Sequence, residues 1–330
     1  MKLVHTFALL LGTLLFAALV MHVGPERLWR EASVLGAGIA LIIAIEGVAD
    51  FLHTWGWQRC FAPGHRPTAL RLWWPHLAGA AINFVTPTAT LGGEIVRGTL
   101  VPREVPGTEA TASLAINKLT ATLSDVVLSL AGVTMLLALV PLPAEMRAGV
   151  LVAVTLFVAG VAGFLVVQRR GRLAGLVGER RGLARVVGAE RAERFARVAA
   201  EVDARIALFH AERPRDLAAA VALHLGGSSL GALQLWVFLR WMGAPSDLET
   251  VALVFLVARV LDLAAFFVPA RLGAQEGARM LAMRLAGLDP SLGLLFSLVL
   301  RLEQVTWAAA GFAAYAALAA GRGRSVRAVS

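Results

Sequence analysis

The chain has 330 residues, of which 58% are hydrophobic and 16% are charged, whereas a soluble domain is about 45–50% apolar and about 25% charged. This composition excludes a disordered protein, a small disulfide-stabilised secreted domain and most soluble enzymes, and it indicates an integral membrane protein. The net charge of +9 comes from basic residues that cluster between apolar segments. We therefore expect this charge to face anionic lipid rather than nucleic acid.

Seven apolar stretches are long enough to cross a bilayer, since about 20 helical residues span its hydrocarbon core. They lie at about 3–23, 34–54, 110–140, 149–168, 217–239, 248–268 and 291–320. The first is longer than the apolar part of a signal peptide and lacks a small-residue cleavage pattern, so we expect a retained anchor.

Two further apolar stretches, at about 72–98 and 270–287, are interrupted by proline, glycine and charge. We expect broken or re-entrant helices there, because irregular backbone survives at membrane depth only where protein buries it or where it lines a wet cavity. The predicted fold is an all-α polytopic membrane protein with about eight transmembrane helices. Either 270–287 crosses the membrane or 291–320 is split near Arg301, and the sequence leaves both alternatives open.

The longest polar segment, 169–216, separates a first membrane half at 1–168 from a second half at 217–320, and a basic tail follows at 321–330. Its twelve arginines exceed its seven acidic residues by five, which places it in the cytoplasm, together with both basic termini.

Apolar residues recur at spacings of three and four within this linker. They are Phe195, Val198, Val202, Ile206 and Phe209. The spacing predicts an amphipathic helix, which either lies on the inner leaflet or belongs to a small soluble helical hairpin.

The two interrupted segments share one pattern, which is a proline, six residues, a glutamate, two residues and an arginine, with glycine inside the gap. Its members are Pro87, Gly92, Gly93, Glu94 and Arg97 in the first segment, and Pro269, Gly273, Glu276 and Arg279 in the second. A basic residue then follows in each half, with Lys118 24 residues after Glu94 and Arg301 25 residues after Glu276. We interpret the pattern as an internal repeat, because paired interrupted segments in two halves are typical of transporter binding sites.

The chemistry expected of these segments is anion binding. Glycine lets the backbone unwind, and the amide groups of the half-helix that follows Gly92, Gly93 or Gly273 then face the gap. Arginine beside them suits phosphate best. The alternative is that each glutamate caps its own helix and pairs with the arginine three residues later. Asn83 is expected to bind either a head group or the freed backbone.

Glu46, Asp50 and His53 lie on one face of an otherwise apolar helix, so each is a candidate functional group. Three roles remain open: a proton relay, in which Asp125 would also serve, a counter-ion for Lys118, Arg97 or Arg301, and metal ligation, for which no second ligand helix is evident. Arg259 and Asp262, three residues apart, are expected to form a local salt bridge. No nucleotide or metal motif occurs, and we predict no cofactor and no bound metal.

Residues Ala81–Arg97, which read AINFVTPTATLGGEIVR, resemble the membrane region of the lysylphosphatidylglycerol synthase (multiple peptide resistance factor) family, especially its stand-alone bacterial members, including those of hopanoid clusters. The resemblance implies an eight-helix fold with two pore-lining broken segments and movement of a lipid between leaflets. It implies that the functional charges are Asp50, Glu94, Arg97, Lys118, Glu276 and Arg301. The chain ends without the soluble aminoacyltransferase domain of the bifunctional synthases, so we do not expect it to make lysyl-lipid.

The expected function is that of a lipid translocase in the bacterial inner membrane, not an enzyme. Its partner would be an anionic or aminoacylated phospholipid, or a hopanoid-type lipid. Two alternatives stay open, an intramembrane enzyme that modifies a lipid head group and a non-transporting scaffold for lipid-synthesis enzymes. Homo-oligomer formation is also left open.

Overall fold

The computed structural model describes residues 35–85, 91–169, 189–264 and 273–327, together with Met21 and Glu26, and these ranges are helical apart from short connections. The helices before the linker are α1 (Ala37–Arg59), α2 (Ala69–Val85), α3 (Leu91–Leu100), α4 (Gly107–Leu139) and α5 (Ala144–Arg169). The later helices are α6 (Ala189–Glu212), α7 (Pro214–Trp241), α8 (Leu248–Ala264), α9 (Ala274–Leu285) and α10 (Pro290–Arg327). The all-α prediction is confirmed.

Within the described part of the chain, four helices are long and apolar enough to cross a membrane: α1, α4, α7 and the Pro290–Ala320 part of α10. They correspond to four of the seven predicted crossings. The predicted crossing at 248–268 is the 17-residue helix α8, and the one at 149–168 lies within α5, whose apolar part is the shorter Arg147–Gly163. The predicted anchor at 3–23 lies outside the described residues except for Met21.

Helix α10 is continuous for 38 residues and passes through Arg301 without a break. The alternative that 291–320 is split near Arg301 is therefore wrong. The physical reason is local, because no proline follows Pro290 in this helix, and glycine alone is tolerated inside a helix that packs well.

Helices α2 and α3 form an antiparallel hairpin, an arrangement consistent with the broken segment predicted at 72–98. The Gly93 N–H donates to Asn83 Oδ1 at 2.7 Å, and a side chain on Gly93 would collide with the carbonyl oxygen of Gly79. Two glycines thus let the backbones touch, as small residues do in membrane helix pairs. The connection that contains Pro87 lies outside the described residues.

Helices α8 and α9 form a second hairpin. Asp262 near the end of α8 lies 3.9 Å from Arg279 of α9, and α9 begins after Gly273, whose φ of 76° favours glycine. A side chain on Gly293 of α10 would collide with the α9 backbone at Arg279. The interruption predicted in 270–287 stays a prediction, because residues 265–272, which include Pro269, lie outside the described residues.

The two halves are joined through α1 and α7, which lie antiparallel. Gly38 at the start of α1 is against Trp241 at the end of α7, and Arg213 before α7 donates to the Arg59 carbonyl at 2.8 Å. The first hairpin follows the Arg59 end of this pair and the second follows the Trp241 end. The two hairpins therefore enter the helix bundle from opposite ends.

The amphipathic helix predicted in the linker is α6, whose apolar face is buried by protein in its second half, whereas Val198 in the first half is exposed. Ile206 and Phe209 are fully buried in a cluster with Trp57 and Phe61. This part of α6 therefore packs against α4 and the end of α1, whose apolar side chains join the same cluster. The choice between a helix on the leaflet and a small soluble hairpin stays a prediction. The side chain of Phe195 lies outside the described residues.

Candidate functional site

A polar cavity of about 220 Å³ lies between α1, α7, α8, α9 and α10. Its polar lining consists of Glu46, His53, Ser228, Gln234, Arg259, Asp262 and Arg279. Apolar side chains such as Phe255, Met283 and Leu300 complete the wall. The volume is below the roughly 300–1,000 Å³ of pockets that hold a whole drug-sized ligand. The cavity is thus large enough for a small polar group and too small for acyl chains.

The side-chain amide of Gln234 connects the two membrane halves beside the carboxylate of Glu46. Gln234 Nε2 donates at 3.1 Å to Glu46 Oε2 and at 3.1 Å to the Ile42 carbonyl, and it lies 3.4 Å from Glu303 Oε2. An amide nitrogen has two hydrogens, so three acceptors compete for them. Gln234 and Glu303 are both buried, and the sequence analysis did not identify either as a site residue.

The second hairpin supplies the basic side chains of the cavity lining, Arg259 from α8 and Arg279 from α9. Arg279 lies 3.9 Å from Asp262 and 3.4 Å from Ser297 Oγ, while Arg259 pairs with Asp125 of α4. The prediction of a local Arg259–Asp262 pair is therefore wrong, because both side chains find partners on other helices. Asp125 is half exposed, does not line the cavity and holds Arg259 in position.

Two histidines form a hydrogen-bonded pair across the α1–α7 contact. His53 Nδ1 lies 2.9 Å from His224 Nδ1, and His224 Nε2 lies 3.0 Å from Asn117 Oδ1 of α4. The rings are stacked with centroids 5.2 Å apart. The sequence analysis identified only His53 of these. The signal for His224 was the pair of glycines that follows it, because Gly227 lies against His53 and lets the rings meet.

Asp50 takes a partner that the sequence analysis did not name. Its Oδ1 lies 3.4 Å from Nε2 of His76 on α2. The counter-ion alternative expected Lys118, Arg97 or Arg301, and all three are wrong as direct partners. Lys118 is exposed on α4 and forms no ion pair with any described residue. The spacing of the proposed repeat, which led to Lys118, therefore did not identify an acidic partner for it.

The first hairpin holds a pair within itself. Glu94 and Arg97 are 3.2 Å apart, as the alternative of a self-contained pair predicted, and the Arg97 side chain lies against Gly79. Among the described residues, neither Glu94 Oε2 nor Arg97 Nε has a hydrogen-bond partner, although both are buried. The Glu94–Arg97 pair therefore leaves one buried acceptor and one buried donor without a hydrogen bond to any described residue.

One of the backbone amides that were predicted to bind an anion at the start of α3, the N–H of Gly93, already has a hydrogen-bond partner within the protein. Asn83 accepts the Gly93 N–H, so Asn83 binds the freed backbone, which was one of its two expected roles. Gly92 lies beside it and is half-buried. In the second hairpin, the carbonyl of buried Gly273 accepts the Gly277 N–H at 2.9 Å.

Glu276 is fully buried and pairs with Arg301 of α10 at 3.0 Å rather than with Arg279. Arg301 also donates to Gln304 at 3.1 Å. The expectation that both glutamates pair with the arginine three residues later is therefore correct for Glu94 and wrong for Glu276. Arg301 reaches Glu276 because α10 packs directly against α9 through Gly293.

The predicted site residues thus fall into separate groups. Glu46, His53 and Arg279 line the cavity. The residues held in the two hairpins or on α4 outside the cavity lining are Asn83, Gly92, Gly93, Glu94, Arg97, Lys118, Asp125, Gly273, Glu276 and Arg301. Asp50 stands between the groups, one turn from both Glu46 and His53 on α1.

Comparison with known protein families gives one match. The family described as lysylphosphatidylglycerol synthase TM region matches residues 6–311 of the chain. The match includes both hairpins, the linker and the cavity. Among curated proteins and among solved structures, no match was found.

Proposed function

The chain belongs to the family of lysylphosphatidylglycerol synthase membrane regions, and from this premise we propose that it moves a polar lipid between the two leaflets of a membrane. Membership confirms the resemblance of residues 81–97. The proposed cargo is an anionic or aminoacylated phospholipid, or a related polar lipid such as a hopanoid derivative. In this proposal the lipid crosses without chemical change.

The observation that supports this proposal most directly is the charged cavity inside an apolar helix bundle. Arg279, Glu46 and Gln234 all line this cavity, and ionisable groups inside a membrane are expensive and typically lie on transport pathways. A cavity of about 220 Å³ suits a phosphate-bearing head group. The acyl chains would remain in the bilayer beside the apolar wall, so only the head group needs a polar path.

The roles of the lining residues follow from their charges. Arg279 would bind a phosphate oxygen, because guanidinium and phosphate form strong paired hydrogen bonds. Arg259, held by Asp125, adds a second positive charge at the same end. Glu46, which also lines the cavity, would accept hydrogen bonds from the hydroxyl or ammonium group of the head. A head group with phosphate at one end and donors at the other therefore matches the cavity.

We propose that the two hairpins are related as an inverted internal repeat. Their entry from opposite ends of the α1–α7 pair supports this proposal, as does the presence of a glutamate in the first turn of both α3 and α9, each followed three residues later by an arginine. Inverted repeats with binding at their interface are common in transporters. The ion pairs that involve each hairpin, Glu94 with Arg97 within the first and Glu276 of the second with Arg301 of α10, would then exchange partners as the head group passes.

The orientation proposed places the basic linker and both termini in the cytoplasm of a bacterial cell, with the first hairpin entering from that side. The excess of arginine between the halves supports it. The halves would be 1–168 and 217–320, and the total of about eight helices would count the hairpins together with the anchor at 3–23.

Transport can be tested with purified protein in vesicles that contain a fluorescent phosphatidylglycerol. The fraction of probe that an external quencher reaches reports movement between leaflets. We expect wild type to exchange the probe between leaflets at least about tenfold faster than protein-free vesicles, a difference of about 1.4 kcal/mol in barrier. Arg279→Gln and Glu46→Gln should lose most of this rate.

The matched control is Arg284→Gln, which removes the same charge from an exposed position on the same helix as Arg279. It should retain the wild-type rate. Equal rates for wild type, Arg279→Gln and protein-free vesicles would overturn the proposal. Mass spectrometry of the same lipids covers the enzyme alternative, since a modified head group would appear as a new species.

A further inference from the structure

Beside the cavity, three side chains from three helices form a continuous hydrogen-bonded series. His53 of α1, His224 of α7 and Asn117 of α4 are joined by contacts of 2.9 Å and 3.0 Å. His224 and Asn117 are buried, whereas His53 lines the cavity. The series therefore has one end at the cavity and one end inside the protein.

The chemistry of the buried end fixes where the hydrogens lie. The Asn117 Oδ1 atom can only accept, so His224 Nε2 carries a hydrogen and donates it. In the neutral ring, His224 Nδ1 is then an acceptor, and His53 Nδ1 must donate to it. This leaves the lone pair of His53 on Nε2, next to Gly227, and both residues line the cavity.

We propose that the His53–His224 pair takes up one proton from the cavity when a phosphate-bearing head group binds there, so that lipid and proton cross the membrane together. This inference rests on the proposed function and adds its coupling ion. A proton relay of Glu46, His53 and Asp125 is one of the three roles that the sequence leaves open. The inference retains His53, adds His224 and Asn117, and gives no such role to Asp125.

The transfer needs no other reactant. A proton binds the lone pair of His53 Nε2 and makes an imidazolium. The hydrogen on His53 Nδ1 then passes along the 2.9 Å contact to His224 Nδ1, which leaves His53 neutral with its hydrogen on Nε2. His224 becomes the imidazolium and donates from both nitrogens. Reversal of these steps returns the proton to the cavity, so the pair stores one proton and does not conduct.

The charges around the pair explain why head group and proton would bind together. The groups that act on His53 are Asp50, His76, Arg97 and Arg259, and the cavity adds Glu46, Asp262 and Arg279. A phosphodiester brings one negative charge and an imidazolium one positive charge. Bound together they add no net charge to a medium in which an unpaired ion is expensive. Linkage requires that each then strengthens binding of the other.

The test measures proton uptake on lipid binding by titration calorimetry. Purified protein in detergent is titrated with dihexanoyl phosphatidylglycerol at neutral pH, in two buffers of different ionisation enthalpy. The difference in apparent binding heat gives the number of protons taken up. We expect about one proton per lipid for wild type, in accord with reciprocal linkage.

Three variants identify the atoms involved. His53→Asn keeps a donor near the Nδ1 position and removes the cavity-facing acceptor, and His224→Gln keeps a donor toward Asn117. Both should bind lipid with the buffer dependence reduced to near zero. The control is His65→Asn, at an exposed histidine of the 3-10 turn Pro63–His65, and it should behave as wild type.

The two proposals fail in different ways. Lipid binding without buffer dependence in wild type would overturn the proton coupling and leave lipid transport standing. Absence of binding in every buffer would overturn both. Unchanged proton uptake in folded His53→Asn would overturn the assignment to this pair. If the histidine variants do not fold, Asn117→Asp provides the second comparison, because a carboxylate beside His224 should hold the proton before lipid arrives and abolish uptake.

Discussion

Arg301, in the middle of α10, forms an ion pair with Glu276, which is fully buried in the first turn of α9. The pair connects the second hairpin to the longest helix of the bundle. Its hydrogen bonds from Nε and Nη2 to the same carboxylate oxygen measure 3.2 Å and 3.0 Å. Glu276 Oε2 has no hydrogen-bond partner among the described residues, so the side-chain hydrogen bonds that Glu276 accepts within the described part of the chain come from Arg301.

Removal of Arg301 alone should destabilise the protein strongly. Arg301→Met leaves the buried carboxylate of Glu276 uncompensated, and breaking a buried pair typically costs about 3–5 kcal/mol. The double variant Arg301→Met with Glu276→Gln should recover part of this loss. Thermal unfolding in detergent, followed by size-exclusion fluorescence, measures both. A double variant less stable than Arg301→Met would show that the pair is not the source of the effect.

Gly93→Ala should prevent the first hairpin from closing. A methyl group at this position collides with the Gly79 carbonyl and with Asn83, which are backbone and hydrogen-bonded groups that cannot move cheaply. Gly277→Ala is the control, since nothing lies within 4 Å of its new methyl group. We expect little folded protein from Gly93→Ala and a normal yield from Gly277→Ala, as judged by monodisperse material after purification.

Gln234→Leu should destabilise the junction between the halves. The amide donates to Glu46 and approaches Glu303, and loss of a buried donor costs about 1–3 kcal/mol for each group left unsatisfied. Gln234→Asn, which keeps the amide on a shorter side chain, separates lost packing from lost hydrogen bonding. Melting temperatures in one detergent compare the three proteins. Equal melting temperatures for Gln234→Leu and wild type would contradict a stabilising role of the Gln234 amide.

Arg205→Ala should release α6 from the bundle. Arg205 pairs with buried Glu109 at 2.7 Å and with Glu201 at 2.9 Å. Hydrogen exchange across 189–212 should increase, while α7 should keep its protection. Arg197→Ala is the control because its pair with Glu193 is largely exposed, and such pairs contribute little. Equally faster exchange in Arg205→Ala and Arg197→Ala would contradict a specific role of Arg205 in holding α6 against the bundle.

Acid should loosen the same contact. The hydrogen bond from Arg205, followed by that from Thr108, holds the pKa of Glu201 below its ordinary value. The contribution of Glu201 is therefore present above the ordinary carboxyl pKa and is lost as pH falls through the lowered value. Exchange of α6 at matched intrinsic rates should increase over that acidic range, and Glu201→Gln should show a smaller change with pH.

The membrane class, the broken segments and several polar positions were predictable from the sequence. Apolar length identifies α1, α4, α7 and α10, and proline with glycine locates both hairpins, because these residues act locally on the backbone. Glu46, His53 and Arg279 stood out as charges in apolar surroundings, and all three line the cavity. Local chemistry was enough for these features.

The partners of the charged residues could not be predicted, because they depend on which helices touch. Asp50 meets His76 on the next helix along the chain, whereas Arg259 meets Asp125 across 134 residues. Neither contact lies within a single helix. Glu303 and Gln234 were missed for the same reason. A single helix reveals which side chains share its face, whereas the facing helix is chosen by packing of the whole bundle.

The unbroken course of α10 has a mechanical consequence. The helix touches the second hairpin through Gly293 and the first hairpin through Gly311, which lies against the Leu77 carbonyl. These contacts are about 27 Å apart along the axis at 1.5 Å per residue. Because one continuous helix contacts both hairpins, a tilt of α10 displaces both contacts together. The motions of the two hairpins are therefore coupled.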